Sequence, residues 1–293
     1  MIKTITAQRK LPAWFDSCMY HFQPHYFQSP AGAMHYIDQG EGQPVVFVHG
    51  NPGWSFEFRD VINCISIKRR CIAPDHIGFG LSDKPADWEY LPKQHAHNFL
   101  ALMEQLDLKD VTLVVNDWGG PIGLSYALRH PGRVKRLVIL NTWMWPVHDD
   151  WYYRIFSGVM GGAIGRFLTG NFNFFARVVV PMVYGKRRKL TREDHHFMRA
   201  PLASKAERKG SYVFPREIIG SSDWLAGLWA QREKLLDIPT AIIWGMKDIA
   251  FREKELRVWE ETLRPEKVIR LDDVGHYPHD EAPEVLAEML LAD

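Results

Sequence analysis

Short apolar runs rich in β-branched residues recur along the chain and alternate with segments of helix length. The runs cover residues 45–48, 70–74, 111–115, 134–140, 241–244 and 268–271. The segments between them include Pro92–Leu106, with apolar residues at helical spacing, and Gly119–Arg129. Strands that alternate with helices form βαβ units, and their parallel sheet must be covered on both faces. The pattern predicts an α/β fold with a mostly parallel sheet flanked by helices.

The alternation stops after Asn141 and resumes at Thr240. Residues 146–213 contain no clean strand, but they show helical spacing and many aromatic residues. A length of 293 residues suggests about two domains. Because strand character returns after the helical part, we expect residues 1–145 and 214–293 to form one core. Residues 146–213 are then expected to be a helical cap inserted into it.

The composition narrows the kinds of partner. With 36 Lys and Arg against 35 Asp and Glu, the net charge is +1, which disfavours a nucleic-acid partner. No apolar run approaches the roughly 20 residues that span a bilayer, so no membrane partner is expected either. The expected partner is a small, weakly charged molecule.

Cysteine usage and the N-terminus predict a cytoplasmic protein. Cys18, Cys64 and Cys71 form no CxxC pair, which disfavours a disulfide framework and a Cys-based metal site. Residues 1–17 lack the apolar core of a secretory signal. We expect neither a metal nor a cofactor.

Candidate chemical groups follow three of the predicted strands. Parallel sheets bind ligands beyond the carboxyl ends of their strands. Asp117 lies between the run at 111–115 and a predicted helix, which is the context of a nucleophile elbow, although the small residue usual two positions earlier is Val115. Asp248 and His276 follow the last two runs. A lone Asp here is often only a helix N-cap, but three residues in the order nucleophile, acid, histidine predict a hydrolase triad.

A carboxylate nucleophile constrains the substrate. Displacement at a saturated carbon by Asp117 gives an alkyl ester, which water activated by His276 can hydrolyse. The substrate is therefore expected to be an alkyl halide or an epoxide. A departing halide needs hydrogen-bond donors, and the Trp118 indole and Asn51 amide can supply them. The backbone N–H groups of Asn51 and Trp118 are candidates for an oxyanion hole.

Five motifs together resemble those of the haloalkane dehalogenases of the α/β-hydrolase superfamily. They are His49-Gly50-Asn51-Pro52, residues 75–83, Asn116-Asp117-Trp118-Gly119-Gly120, Gly245-Met246-Lys247-Asp248 and Gly275-His276. The resemblance covers roughly residues 25–290. It implies Asp117 as nucleophile, His276 as base, and Trp118 with Asn51 as the halide-stabilising pair.

The resemblance also implies the position of the triad acid. Members of the family place it after the strand that precedes the cap or after the strand that follows it. The earlier position is Asn141 here, so the acid is expected to be Asp248. An Asn-Trp pair with a late Asp resembles a subfamily whose members often self-associate, which implies a possible homo-oligomer.

Other interpretations remain open at this point. An epoxide hydrolase shares the Asp elbow and would recruit cap tyrosines, for which Tyr152, Tyr153, Tyr184 and Tyr212 are candidates. A non-catalytic ligand-binding protein and a cofactor-free oxygenase of the luciferase type also use this scaffold. A fluoroacetate dehalogenase is disfavoured, because Trp118 stands where that group usually carries Arg. Polar residues near the triad and on the cap are interpreted as solvated surface; they include Asp272, Asp273, His279, Asp280 and residues 186–189.

Overall fold

A single eight-stranded sheet forms the centre of the computed structural model, which describes residues 9–292. Residues 1–8 and 293 lie outside the described part. They include the outer ends of the predicted core and about half of residues 1–17, the segment compared with a secretory signal. The strands are β1 His25–Ser29, β2 Gly32–Gln39, β3 Gln43–Val48, β4 Arg69–Pro74, β5 Val111–Val115, β6 Val134–Leu140, β7 Thr240–Gly245 and β8 Lys267–Leu271.

The sheet is mostly parallel, as the sequence predicts. Its strand order is β1-β2-β4-β3-β5-β6-β7-β8. The pairs β1 with β2 and β2 with β4 are antiparallel, and all pairs from β4 to β8 are parallel. The carboxyl ends of β3, β5, β6, β7 and β8 therefore lie along one edge of the sheet, where loops can bring side chains together.

Helices cover both faces of the sheet. They are α1 Arg59–Ile65, α2 Pro92–Leu106, α3 Gly119–Arg129, α4 Trp151–Met160, α5 Ala163–Phe172, α6 Val180–Val183, α7 Arg192–Arg199, α8 Lys209–Gly220, α9 Ser222–Trp229, α10 Glu253–Leu263, α11 Pro278–Glu281 and α12 Pro283–Leu291. Side chains of α2, α3 and α10 belong to the apolar core on one face, and those of α1 and α12 to the core on the other. Burial on both faces explains why the central strands read as continuous apolar runs.

Strand β5 accommodates Val115, where a small residue is usual, because a glycine lies opposite it on the next helix. Val115 is fully buried at the end of β5. A Cβ atom at Gly123 of α3 would lie 2.8 Å from a Val115 methyl carbon, which is closer than ordinary packing allows. The space that Gly123 leaves therefore accommodates the larger side chain before the nucleophile elbow.

The chain between β6 and β7 is helical in its described residues. It contains α4 to α9, a π-helical turn at Phe175–Val179 and short 3-10 turns. The division into a core and a cap of residues 146–213 stays a prediction. Its second boundary falls inside α8, which continues past 213 and includes Pro215 in its interior.

No helix within residues 9–292 is both long and apolar enough to cross a membrane. The three cysteines are free thiols, with Cys71 buried and the other two exposed.

Candidate active site

Asp117 lies on the tight turn between β5 and α3. Its backbone has a φ of 49°, in the left-handed region that non-glycine residues rarely adopt. The Thr142 hydroxyl and the Gly120 N–H both donate to its carbonyl oxygen and hold the turn. Strained backbone of this kind is typical of functional sites, because the surrounding structure must offset its cost. The turn presents the Asp117 carboxylate beyond the sheet edge, with 14% of the side chain exposed.

The predicted acid and histidine form a buried pair. The Nδ1 atom of His276 lies 2.8 Å from Oδ2 of Asp248, whose side chain is fully buried. Asn141 anchors this acid: its amide N–H donates to the same Oδ2 at 3.0 Å, and its Oδ1 accepts from the Gly245 N–H. The asparagine at the alternative acid position thus orients Asp248, a role that the sequence analysis did not predict.

His276 also faces the proposed nucleophile. Its Nε2 atom lies 3.9 Å from Oδ2 of Asp117. Burial by itself lowers the pKa of His276, but the charge and hydrogen bond of Asp248 and the charge of Asp117 outweigh it and raise the pKa to about 9. Burial also raises the pKa of Asp117, against the opposing effects of His276 and of backbone N–H donors. The two aspartates and the histidine therefore form one electrostatically coupled group.

Two backbone donors converge on the Asp117 carboxylate. The Asn51 N–H donates to Oδ1 at 2.7 Å, and the Trp118 N–H also hydrogen-bonds to the carboxylate. Gly50 permits the close approach of this loop, because a Cβ atom there would lie only 2.2 Å from Oδ1 of Asp117. These are the two residues predicted to form an oxyanion hole.

The Trp118 and Asn51 side chains line the same cavity as Asp117 and His276. The Trp118 ring is held edge-on to Trp143, with ring centroids 4.7 Å apart. Among residues 9–292, neither the Trp118 indole N–H nor the Asn51 amide N–H has a protein acceptor in hydrogen-bonding geometry. Both donors are therefore available to an anion beside the Asp117 carboxylate.

The cavity above Asp117 is almost wholly apolar and has a volume of about 520 Å³. Aromatic residues of the segment after β6 line it, namely Trp143, Trp151, Phe156, Phe174 and Phe175, whereas Trp145 and Phe172 do not. An apolar cavity of this size with a few converging polar groups is typical of a small-molecule site.

The four candidate tyrosines of the epoxide interpretation have other roles. Tyr152 and Tyr153 line the cavity, but their hydroxyls donate to the carbonyl oxygens of Ile249 and Ala250. The Tyr184 hydroxyl donates to Asp280, and neither Tyr184 nor Tyr212 lines the cavity. None of the four is positioned as an acid for an epoxide oxygen.

Three buried residues near the predicted triad were missed or misjudged. Glu57 is only 1% exposed, and its Oε1 atom lies 3.3 Å from Nε2 of the fully buried His279. The prediction that His279 and Asp280 are solvated is wrong: Asp280 is also buried and accepts from Arg59 at 2.8 Å. The signal for Glu57 was a lone charge within the aromatic segment at 54–58.

Burial keeps the Glu57 and His279 pair neutral. It raises the pKa of Glu57 to about 8 and lowers the pKa of His279 to about 3. Between pH 4.5 and 8 the folded protein retains a proton on Glu57 that the unfolded chain releases. The contribution of Glu57 to the free energy of unfolding therefore falls as pH rises through this range, whereas that of His279, whose pKa is lowered, rises up to about pH 6.5.

Replacing Glu57 by glutamine should remove this pH-dependent loss. The amide has nearly the same shape and does not ionise, so Glu57→Gln should gain on the order of a few kcal/mol relative to the wild type between pH 5 and pH 9. Urea unfolding at both pH values measures the change. The raised pKa of His276 is common to both proteins, apart from the smaller contribution that the Glu57 charge makes to it in the wild type.

Glu193→Gln, at an exposed position on α7, is the matched control and should show no such pH-dependent difference. The free energies of unfolding of Glu57→Gln and the wild type could instead differ by the same amount at pH 5 and at pH 9. That result would contradict a neutral, buried Glu57.

No group of three or more His, Cys, Asp or Glu side chains within residues 9–292 is arranged to hold a metal ion.

Comparison with known proteins supports the resemblance that the motifs carry. Residues 43–283 match the family model of the α/β-hydrolase fold. Haloalkane dehalogenase 2 of Mycobacterium tuberculosis is 34% identical over 278 residues, which cover 94% of this chain and 96% of the relative. A cis-3-alkyl-4-alkyloxetan-2-one decarboxylase of Shewanella oneidensis is 36% identical over 270 residues, which cover 89% of this chain and 85% of the relative.

Solved structures agree with this assignment. The crystal structure of the haloalkane dehalogenase DbeA from Bradyrhizobium elkani superimposes with a TM-score of 0.81 at 25% identity, covering 92% of this chain and 97% of that chain. An α/β-hydrolase sheet, an aspartate at the nucleophile elbow and full-length similarity to named enzymes point the same way. The chain belongs to the haloalkane dehalogenase family of the α/β-hydrolase fold.

Proposed function

We propose that this protein is a hydrolytic haloalkane dehalogenase, which converts a haloalkane and water to a primary alcohol, a halide ion and a proton. The observation that carries the proposal is the arrangement around Asp117. An apolar cavity contains one carboxylate, two N–H donors without protein acceptors, and a histidine 3.9 Å from the carboxylate. These are the groups that nucleophilic displacement of a halide and hydrolysis of the resulting ester require.

In the first step, Asp117 attacks the carbon that bears the halogen. A C–O bond forms as the carbon–halogen bond breaks, and the halide leaves with the bonding electron pair. The Trp118 indole N–H and the Asn51 amide N–H stabilise the charge that develops on the halogen. The apolar walls leave the carboxylate few water partners, with 14% of its side chain exposed, which strengthens both its nucleophilicity and these hydrogen bonds.

In the second step, His276 takes a proton from water, which attacks the carbonyl carbon of the Asp117 ester. The intermediate collapses as the bond between that carbon and the alcohol oxygen breaks, and the imidazolium returns its proton to the departing alcohol. Asp117 becomes a carboxylate again as the second proton of the water is released to solvent. The Asn51 and Trp118 backbone N–H groups stabilise the oxyanion, and Asp248 stabilises the imidazolium. Esterification also removes the charge of Asp117, which is one of the causes of the raised pKa of His276. The imidazole therefore becomes a better base at the stage where a base is needed.

Two of the alternatives have less support. The four cap tyrosines of the epoxide interpretation bond elsewhere or lie outside the cavity, although Tyr277, which was not singled out from the sequence, does line it. A purely ligand-binding role leaves the buried Asp248–His276 pair and its anchor Asn141 without a purpose.

A second candidate function is the decarboxylation of a 3,4-dialkyl oxetan-2-one, and the 36% identical decarboxylase relative favours it. Asp117 can attack the saturated ring carbon bonded to oxygen, opening the strained ring and releasing a carboxylate. Loss of carbon dioxide from that carboxylate then expels Asp117 and forms an alkene. The atoms balance without water, so the same nucleophile serves either substrate.

Parallel product assays distinguish these functions. The purified protein is incubated separately with 1-bromohexane, a cis-3,4-dialkyl oxetan-2-one and styrene oxide. Bromide and hexanol in equal amounts support dehalogenation, and carbon dioxide with an alkene supports decarboxylation. Diol from styrene oxide, lost in Tyr277→Phe, together with no bromide, would overturn the proposal in favour of epoxide hydrolysis.

A cytoplasmic location remains a prediction, which the three free thiols support.

A further inference from the structure

The helices between β6 and β7 present an unusual apolar surface. The exposed side of α4 carries Trp151, Ile155 and Val159, which are 69%, 58% and 53% exposed. The exposed side of α5 carries Ile164 and Phe167, and α6 exposes Met182. We name the exposed residues of α4, α5 and the segment 177–182 the cap face. Contiguous exposed apolar surface of this kind marks an interaction site in most proteins.

The cap face surrounds the mouth of the active-site cavity. Trp151, Ile155, Val159 and Met182 are exposed to solvent and also line the cavity. The helix α5 packs against α4 and against the π-helical turn, which extends the same surface beyond the mouth. Whatever covers the cap face therefore also covers the entrance to Asp117.

The charged residues of the segment 151–192 are all basic. Residues 151–192 contain eight Lys and Arg and no Asp or Glu, so the rest of the chain carries 28 basic against 35 acidic residues. Each helical piece of the cap face has one exposed arginine beside its apolar residues, namely Arg154, Arg166 and Arg177. A net charge of +1 conceals this asymmetry. The expectation of no membrane partner rested on the absence of an apolar run long enough to span a bilayer, and it did not take this surface into account.

We infer that the cap face docks on the surface of an anionic phospholipid bilayer. Apolar side chains enter the boundary between headgroups and acyl chains, while arginines beside them reach the phosphates through their long apolar stems. The protein does not need a spanning helix for this. Docking places the cavity mouth against the lipid, where apolar molecules concentrate.

A second copy of the chain fits the cap face less well. In a twofold dimer the same face meets itself, so the basic residues of both copies would be brought together. The segment has no acidic residue to neutralise them. Like charges at an interface disfavour association, whereas an anionic lipid surface is complementary to them.

Vesicle flotation tests the inference without any substrate, so its outcome is independent of the proposed reaction. The full-length protein is mixed with vesicles of phosphatidylcholine alone or with one third phosphatidylglycerol. Binding to the anionic vesicles should be at least tenfold stronger, and should weaken at 0.5 M salt, where exposed charges are screened.

Two variants and two controls localise the binding. Binding should weaken at least tenfold in each of two double variants, Ile164→Asp/Phe167→Asp and Arg154→Gln/Arg166→Gln. Neither pair lines the cavity. Two controls outside the cap face should bind as the wild type does. They are Ile67→Asp/Leu236→Asp, at positions that are 80% and 48% exposed, and Arg257→Gln on α10.

Three results would overturn the inference. They are an absence of binding to anionic vesicles, equal binding to neutral ones, and equal loss in the control variants. A stable dimer in sedimentation velocity that Ile164→Asp/Phe167→Asp dissociates, without vesicle binding, would assign the cap face to a second copy instead. The wild-type dependence on lipid charge and salt decides the question even if a variant fails to fold.

Discussion

Replacing His276 by phenylalanine is expected to stop turnover at a covalent alkyl ester on Asp117. The first step needs only the carboxylate and the halide donors, which this change leaves in place. The second step needs a base within reach of water, and His276 is the group placed beside Asp117, with Nε2 3.9 Å from Oδ2. Turnover should fall by about 10⁴-fold or more, in line with the loss of a triad member in other hydrolases.

The covalent adduct can be measured directly. Mass spectrometry of His276→Phe after incubation with 1-bromohexane should show one added hexyl group, on the peptide that contains Asp117. One equivalent of bromide should appear in a burst with no further release. His97→Phe, at an exposed position on α2, is the matched control and should turn over without accumulating an adduct. Continued turnover by His276→Phe would refute its role as the base.

Replacing Asp117 by alanine should abolish both the burst and the turnover. No other carboxylate among the described residues lines the cavity, so no group remains to accept the alkyl group. The expected loss is about 10⁴-fold or more, with no adduct at any time. Bromide release and intact-protein mass measure the two effects.

Asp272→Ala provides the control for this change, because Asp272 is an exposed aspartate in the loop before His276. It should keep wild-type turnover. A thermal melt of Asp117→Ala checks that the protein is folded. Substantial bromide release by folded Asp117→Ala would place the nucleophile elsewhere.

Sequence patterns predict the centre of this fold closely, because its strands are buried on both faces. The run at Val111–Val115 matches β5 to the residue, and the chemical groups follow directly from where such runs end. The antiparallel hairpin of β1 and β2 was not predicted. Its strands mix histidines and aromatic residues and contain few β-branched runs. The Nδ1 atom of the buried His35 bonds to Asp75, which is far away in sequence.

Other features depend on contacts that no local pattern encodes. Pro215 suggests a helix end near 213, yet α8 continues through it. Asn141 looks like a lost acid, but the register of β6 and β7 places its amide against Asp248 and Gly245. Glu57 becomes a neutral acid because the fold buries it, with α11 bringing His279 against it.

The central claim is that the oxygen of the alcohol comes from Asp117 and not directly from water. A single turnover of excess enzyme with 1-bromohexane in H₂¹⁸O tests it. Because water attacks the carbonyl carbon of the ester, the first alcohol should contain ¹⁶O, and the Asp117 peptide should gain one ¹⁸O atom. Alcohol carrying ¹⁸O in the first turnover, with Asp117 unlabelled, would contradict the account, since water would then have displaced the halide itself.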